Sequence, residues 1–535
     1  MNLSRRELLA AFLGAPFALA CRSESNARFP DGEIVGQSVN LGHLLRENQT
    51  FEAPADNWET VKVAIVGGGV AGLTAAWKFR REGLNDFVLL ELEKEIGGTS
   101  RSSEGAPVGY PWGAHYLPVP FQENTELISL LDEMSLLDER GAGGEVVAKE
   151  ELRCREPEER IFYKGRWYEG LYLNVGASEE DKRQFAQFQK HIDFWVNWRD
   201  ANGRRAFVVP IEMCSSDGEV TSFDKISFAV WMRQNGFTSE RLLWYCDYAC
   251  RDDYGLKLEQ TSAWAGLFYF CSRVRTSGAE SQPFITFPEG NGRFVNHFFD
   301  AVRENIRRSH TVVSIIPNEK GVDVICLASD ELRGFHCEKV IFASPIFIAP
   351  YVIRGFSKDA PFAPGEFQHN AWFVANLFLK DRPKPRFAKD FPLAWDNVLY
   401  ESPSLGYVTA THQKGIDYGP TILTYYYPMC AEENGRTKLF NYEWMDLADV
   451  CLTDIARAHP DIYELCERID IMRWGHAMVS PRPNFIWSGI REKAMQPYRN
   501  IHFAHTDLSG IALFEEAFYH GIRASGEILE ENGRN

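Results

Sequence analysis

From Val61 to Val66 the chain is apolar except for Lys62. A run this short and continuous reads as a buried strand. Three glycines interrupt it, and a helical pattern follows from about Val70 to Arg81, stopped by Gly83. Phe87 to Glu91 predicts a second buried strand, so the segment opens as a βαβ unit. Residues 120–285 mix amphipathic helical stretches with many aromatics. Thr311 to Ile316 and Val322 to Leu327 predict a hairpin around Asn318-Glu319-Lys320-Gly321. Val340 to Ala343 predicts a short buried strand, and residues 365–480 alternate strands and helices. The chain returns to a strand at Ile501 to Ala504 and a helix from about Leu513 to Glu530. Residues 22–58 are polar without a sustained period and predict a tether lying against the body. No internal repeat or low-complexity tract interrupts this order.

Composition narrows the partners. At 535 residues the chain exceeds what one core serves, so two domains are expected. A hydrophobic share of 45% against 24% charged is that of an ordinary globular protein. The aromatic share of 13% suits the enclosure of a planar ligand as well as a large core. A formal net charge of -17 repels phosphate backbones and argues against a nucleic-acid partner.

The start of the chain changes the picture again. Ser4-Arg5-Arg6 precedes an apolar run to Ala20 and then Cys21, the pattern of an export leader over residues 1–21. The arginine pair resembles a twin-arginine (Tat) signal, which predicts an exported, periplasmic protein. Ala18-Leu19-Ala20-Cys21 resembles a lipoprotein cleavage box, and a lipidated Cys21 would attach the protein to a membrane; a plain signal peptide with a chance cysteine is the alternative. No later segment is long and apolar enough to span a bilayer. The remaining cysteines include no C-x-x-C pair, and Cys246 and Cys250 read as buried thiols and not as metal ligands.

The motif that carries chemistry is Gly67-Gly68-Gly69-Val70-Ala71-Gly72, a G-x-G-x-x-G between strand and helix. Gly67 serves the tight turn, Gly69 the close approach of a pyrophosphate, and Gly72 the packing of helix on strand. The N-terminus of the helix then meets the phosphates. Glu91 ends the second strand where an acid accepts from the adenosine ribose.

Glu95-Ile96-Gly97-Gly98-Thr99-Ser100-Arg101-Ser102 resembles the R-x-G-G-R-x-x-S/T element of the amine-oxidase-like FAD-dependent oxidoreductase superfamily. That superfamily includes flavin-containing amine and polyamine oxidases, protoporphyrinogen oxidase and carotenoid desaturases. Gly97, Gly98 and Ser102 match, Glu95 and Thr99 stand where arginines are usual, and Arg101 is the substitute cation toward the phosphates. Tyr110 to Tyr116 resembles the loop along the flavin ring, which assigns Gly113, Ala114 and His115 to the cofactor. Pro288 to Arg293 resembles the glycine turn that leads back to the FAD domain. Val312 falls in the strand whose backbone meets adenine. Asp507 to Gly510 and Glu515 to Ala524, with Ala517, resemble the closing signature, in which Asp507 would bind the ribityl chain.

The resemblance implies an α/β fold. A discontinuous Rossmann-like FAD-binding domain would span 61–125, 286–345 and 485–530. A mixed α+β substrate domain would span 126–285 and 346–484. It implies FAD as cofactor, a small-molecule substrate and an electron acceptor, either oxygen or quinone-like. The expected reaction removes a hydride from a C–N or C–C bond of a small or lipophilic molecule. An amine oxidase, a desaturase or dehydrogenase of an apolar substrate, and a partner protein with structural FAD all remain open.

His115 and Trp474 are the catalytic candidates. Amine oxidases of the superfamily place a lysine near flavin N5 on the strand matching Ala371 to Leu379, and here Lys380 arrives only at its end. Apolar residues around Val374 therefore predict a dry cavity, a neutral substrate and slow reaction with oxygen. Tyr425 and Tyr427 share one face of a strand, where packing is the favoured reading over contact with an amine.

Overall fold

The computed structural model describes residues 29–36, 38–46, 51, 56–141, 144–274, 283–360 and 362–534. The leader, with Arg5, Arg6 and Cys21, lies outside the described residues.

Two sheets organise the described chain. The first has seven strands and is built on Trp58–Val66, which pairs in parallel with Phe87–Leu90 on one side and Glu331–Phe342 on the other. The last four residues of Trp58–Val66 and all of Phe87–Leu90 are buried, as continuous apolar strands covered on both faces must be. The strand expected at Val340 to Ala343 is the inner end of the 12-residue Glu331–Phe342. Its outer half hid from the apolar pattern because Glu331, Arg333, His336 and Glu338 alternate along it. That half pairs antiparallel with Val322–Ala328, whereas the inner end pairs in parallel with Ile501–Phe503. His310–Pro317 closes the expected hairpin on Val322–Ala328.

The helix Val70–Arg81 buries Val70 to Trp77 and Phe79 between this sheet and the long helix Phe514–Arg534. The two helices approach closely at a glycine. A Cβ on Gly521 would sit 2.7 Å from Thr74 Cβ, against the carbonyl of Ala71.

The second sheet has eight strands in the order Asp31–Val35, Cys466–Val479, His369–Leu379, Thr421–Pro428, Gly406–Thr409, Asp396–Leu399, Glu159–Tyr163 and Arg166–Glu169. Helix Trp444–Ala456 covers one face. The other face carries Trp372, Val374, Tyr426 and Trp474 toward a cavity. Helices Glu179–Asn197, Phe228–Gln234, Glu240–Tyr254 and Ala263–Cys271 form an aromatic-rich body beside it. The tether expected over 22–58 is corrected in part. Asp31–Val35 is a parallel edge strand on Arg468 to Met472, and Val39–Leu44 is a helix. The short alternation was too brief to read as a strand, and its pairing comes from the neighbouring edge.

Candidate functional site

The glycine loop is a cradle by geometry. Gly67 has φ +113°, and a Cβ there would lie 2.6 Å from Ala343 O. A Cβ on Gly72 would strike the carbonyl oxygen of Gly67, so the helix can sit this close to the strand only with glycine. Gly69 is the opposite case. Nothing lies within 4 Å of where its Cβ would be, leaving open space over the helix end. The helix makes its first internal bond from Leu73 N–H to Gly69 O (2.9 Å), so the N–H groups of Val70, Ala71 and Gly72 precede that ladder. Its first turn holds no acid that would compete for an anion.

Glu91 braces the cradle. Its Oε2 accepts from Gly68 N–H (2.6 Å) and its Oε1 from Glu93 N–H (2.8 Å). Burial pushes its carboxyl up to about 6, against the pull of those two backbone donors. His310 N–H donates to Glu91 O (2.8 Å), which brings the strand holding Val312 to the same end of the cleft. Val312 pairs with Cys326 beside an irregularity at Val313, and its side chain is buried.

The loop after the second strand runs alongside. Gly97 N–H donates to Gly68 O (2.7 Å), and Gly97 and Gly98 both have positive φ. Arg101 is nearly buried, with its guanidinium against Met472 Sδ (3.4 Å) and 5.8 Å from the Trp474 ring. Ser102 packs under Gly292, where a Cβ would strike its hydroxyl.

The loop from Gly113 to Tyr116 forms one wall of the cavity. Ala114 N–H donates to Thr99 O (3.0 Å), which ties this loop to the Gly97–Gly98 turn. His115 packs between the rings of Tyr116, Trp395 and Tyr426 at 5.0 to 5.3 Å. Burial lowers its pKa to about 4, so the ring is neutral at pH 7. Its Nδ1 is 3.3 Å from Gly113 O, which can only accept. That bond fixes the proton on Nδ1 and leaves Nε2 a lone pair. Tyr426 O–H donates to the same carbonyl (2.9 Å). Trp474 Nε1–H donates to Trp112 O (2.8 Å), so one bond holds its ring edge at the cavity wall. The start of helix Phe514–Arg534 lines the cavity through Leu513, Phe514 and Glu515, with Ala517 buried next to them.

The expectation of a dry, apolar cavity does not hold. Val374 does line it, but so do Asp252, Asp253, Asp396, Glu515 and Arg273. Asp253 is paired with Arg273 (2.9 Å), whose Nη1 donates to Tyr116 Oη (3.1 Å). Asp252 and Asp396 have no cation within ion-pair distance among the described residues; Tyr269 O–H reaches Asp252 at 3.5 Å and Tyr248 O–H reaches Asp396 at 3.4 Å. Burial, then the charges of Glu159 and Asp252, hold Asp396 well above the usual carboxylate range. Asp252 is raised by burial and by Asp253, and Glu159 is pushed to about 7. Asp252 and Asp253 occupy the last turn of helix Glu240–Tyr254, the end at which a helix dipole disfavours acids. Arg273 offsets Asp253, whereas Asp252 and Asp396 stay buried with raised carboxyls, the kind of perturbation that singles out a candidate site.

Sequence reading missed these acids. Their signal was present as Asp252-Asp253 just before the helix-ending Gly255, which takes φ +59°. Nothing in the sequence placed them opposite Asp396. Tyr425 and Tyr427 do share a face, but it is the far one, with Tyr427 stacked on Phe373 at 5.0 Å. Lys380 is exposed beyond the end of His369–Leu379 and does not line the cavity.

Asp507 sits in a tight turn where three segments meet. Its Oδ2 accepts from Ile346 N–H (2.8 Å), and its Oδ1 faces His369 Nε2 (2.8 Å) and His505 Nδ1 (3.1 Å). Burial alone would raise this carboxyl, but His505 and His369 hold it well below the usual range. The ten described cysteines are all free, and Cys246 and Cys250 are buried. Among the described residues no group of His, Cys, Asp and Glu could hold a metal, and no helix is long and apolar enough to cross a membrane.

Residues 65–134 match the family described as NAD(P)-binding Rossmann-like domain. A putrescine oxidase solved with putrescine bound aligns over 88% of this chain and 100% of its own, with TM-score 0.65 and 17% identity. The chain shares the fold of that solved oxidase. Cyclohexylamine oxidase from Brevibacterium oxydans IH-35A aligns over 88% of this chain and 99% of its own, with TM-score 0.62 and 14% identity. Among curated proteins, oxidoreductase PigB of Serratia sp. (strain ATCC 39006) is 22% identical over 296 residues, 51% of this chain. The chain matches 41% of that relative's length.

Proposed function

We propose that the protein is an FAD-dependent oxidoreductase that takes a hydride from the carbon beside the nitrogen of a small amine. The observation that carries this reading is the aromatic cavity with Asp252 and Asp396 on its wall. The cradle supports FAD. The open space at Gly69, the helix end at Val70 to Gly72 and the braced Glu91 suit a dinucleotide, and the cavity adjoins the Gly97–Ala114 loops as a flavin site requires. Bound FAD would supply the hydride acceptor.

The chain's own residues would do the rest. Asp252 and Asp396 would accept hydrogen bonds from an ammonium group, releasing their own protons to solvent as the cation enters, and replace part of its hydration. Tyr116 and Tyr426 would offer ring faces to the same cation and exclude water. Hydride loss needs the neutral amine, and the Nε2 lone pair of the neutral His115 would accept a hydrogen bond from its N–H. The leader supports export of the folded protein to the periplasm.

The test is an anaerobic screen of amines, diamines and neutral apolar compounds for loss of flavin absorbance. Bleaching by a cationic amine is expected. Bleaching only by neutral compounds would reject the amine assignment, and a protein that neither contains nor takes up FAD would reject the whole reading.

A further inference from the structure

Residues 31–36 and 38–46 lie beside the dinucleotide cleft and touch groups at both of its ends. Strand Asp31–Val35 is fixed on the edge of the large sheet. Gly36 then passes over Arg101, with a Cβ there reaching within 2.8 Å of Met472 Cε. Ser38 fastens the segment to the end of the cleft held by Glu91. Its N–H donates to Glu93 Oε1 (2.8 Å) and its hydroxyl to Oε2 (3.0 Å). After helix Val39–Leu44 the segment delivers Arg46 to the other end, where Phe347, His369 and Asp507 lie.

The cations gathered at that end exceed the acids. Arg46 stacks 5.2 Å from the Phe347 ring centroid, and its Nη2 is 3.3 Å from His476 Nε2. His476 packs on the same ring at 4.2 Å. Arg436 approaches from helix Gly435–Asn441, because Gly475 has no side chain. A Cβ there would lie 3.3 Å from Arg436 Nε and 2.6 Å from the Phe440 ring. The Nε of Arg46 and the Nε of Arg436 are both buried without a hydrogen-bond partner. Asp507 offers no relief, since Ile346, His369 and His505 already occupy its oxygens. Burial, then Arg436, His369 and Arg46, push His476 down to about 3, so it is a neutral acceptor that orients Arg46. A buried Nε–H without an acceptor is costly unless an anion or an ordered water completes it.

We propose that Arg46 and Arg436, with His476 positioning Arg46, form a phosphate-type oxyanion site where the segment 38–46 meets the end of the cleft. The oxyanion is either the diphosphate of the bound dinucleotide or the phosphate of a separate molecule. The first source makes the segment a clasp on the cofactor, and the second makes it a regulatory or substrate subsite.

The test uses the purified holoprotein and the variants Arg46→Met, Arg436→Met and Arg46→Lys, with Arg499→Met as a distant control. Methionine keeps the packing on Phe347 and Phe440 while removing the charge. Two quantities are read: release of FAD on dilution, by its fluorescence, and binding of inorganic phosphate, by calorimetry. If the diphosphate is the ligand, both Met variants lose FAD roughly ten- to a hundredfold more readily, Arg46→Lys less so, and inorganic phosphate does not bind the holoprotein. If a separate phosphate is the ligand, it binds once per chain, both Met variants abolish that binding, and FAD retention is unchanged. Wild-type FAD retention in both Met variants, with phosphate binding absent everywhere or equal in all proteins, would overturn the proposal. If the protein holds no FAD, the phosphate titration of the same chain still reads the site.

Discussion

Single residues divide here into those that shape space and those that carry charge. Gly69 and Gly72 sit in one motif with opposite surroundings, open space against a backbone carbonyl. Gly69→Val should therefore abolish FAD binding and leave the melting temperature of the apoprotein near wild type, whereas Gly72→Val should destabilise the fold itself. Absorbance of released flavin and thermal melts of both apoproteins separate the two. This part of the site was legible in sequence, because a turn next to a phosphate admits only glycine. The acids were not legible, because their meaning depends on long-range placement. Asp252 is raised above its ordinary 3.8 by burial and by Asp253. In the folded protein it keeps a proton that the unfolded chain releases, so its contribution to stability is full at acid pH and declines as pH rises from about 4 through the folded value. Asp252→Asn should accordingly melt a few degrees above wild type at pH 8, show a smaller gain at pH 4, and oxidise amines more slowly. A variant that is no more stable at pH 8 would show that the carboxyl is not strained by its surroundings.

Elements were legible where pattern and partner agree. The βαβ unit, the hairpin and the closing helix read correctly because each is apolar on faces that its own neighbours cover. The edge strand Asp31–Val35 was missed because half of its character is borrowed from Cys466–Val479. The crossing of helix Phe514–Arg534 on Val70–Arg81 depends on Gly521, which faces Ala71 and Thr74. Gly521→Leu should separate the helices at a cost of about 1–3 kcal/mol, typical of overpacking. Because the second helix begins on the cavity wall, the same change should weaken flavin retention. A urea melt followed by both protein and flavin fluorescence checks both, and coincident wild-type curves would deny the coupling.

At the scale of the molecule, the glycine-loop cradle lies on one sheet and the wall that bears Val374 and Asp396 on the other, with the Gly97–Tyr116 loops between them. That division explains why the fold and cofactor were readable and the substrate was not. The cofactor motif is local, whereas the cavity is assembled from helix Glu240–Tyr254, strand Asp396–Leu399 and the flavin-side loop. With Asp252, Asp253, Asp396, Glu515 and Arg273 on its wall, the cavity gives no ground for slow reaction with oxygen, and peroxide yield decides the acceptor. Export is tested at the same scale. Replacing Arg5 and Arg6 by lysines should leave folded, yellow protein in the cytoplasm if the leader is of the twin-arginine type, whereas unchanged export would assign it to the general secretory route. The central claim is that carboxylates in an aromatic cavity select a cationic amine for oxidation. Its most direct measurement is the anaerobic rate of flavin reduction by a diamine, from pH 6 to 9, in wild type and Asp396→Asn. The account predicts rapid reduction that weakens as pH falls toward neutrality and below, where the raised carboxyl of Asp252 takes up a proton and the cavity loses negative charge. It predicts kcat/KM lower by roughly ten- to a hundredfold in the variant. Equal rates in both proteins, with faster reduction by a neutral compound of the same size, would contradict it.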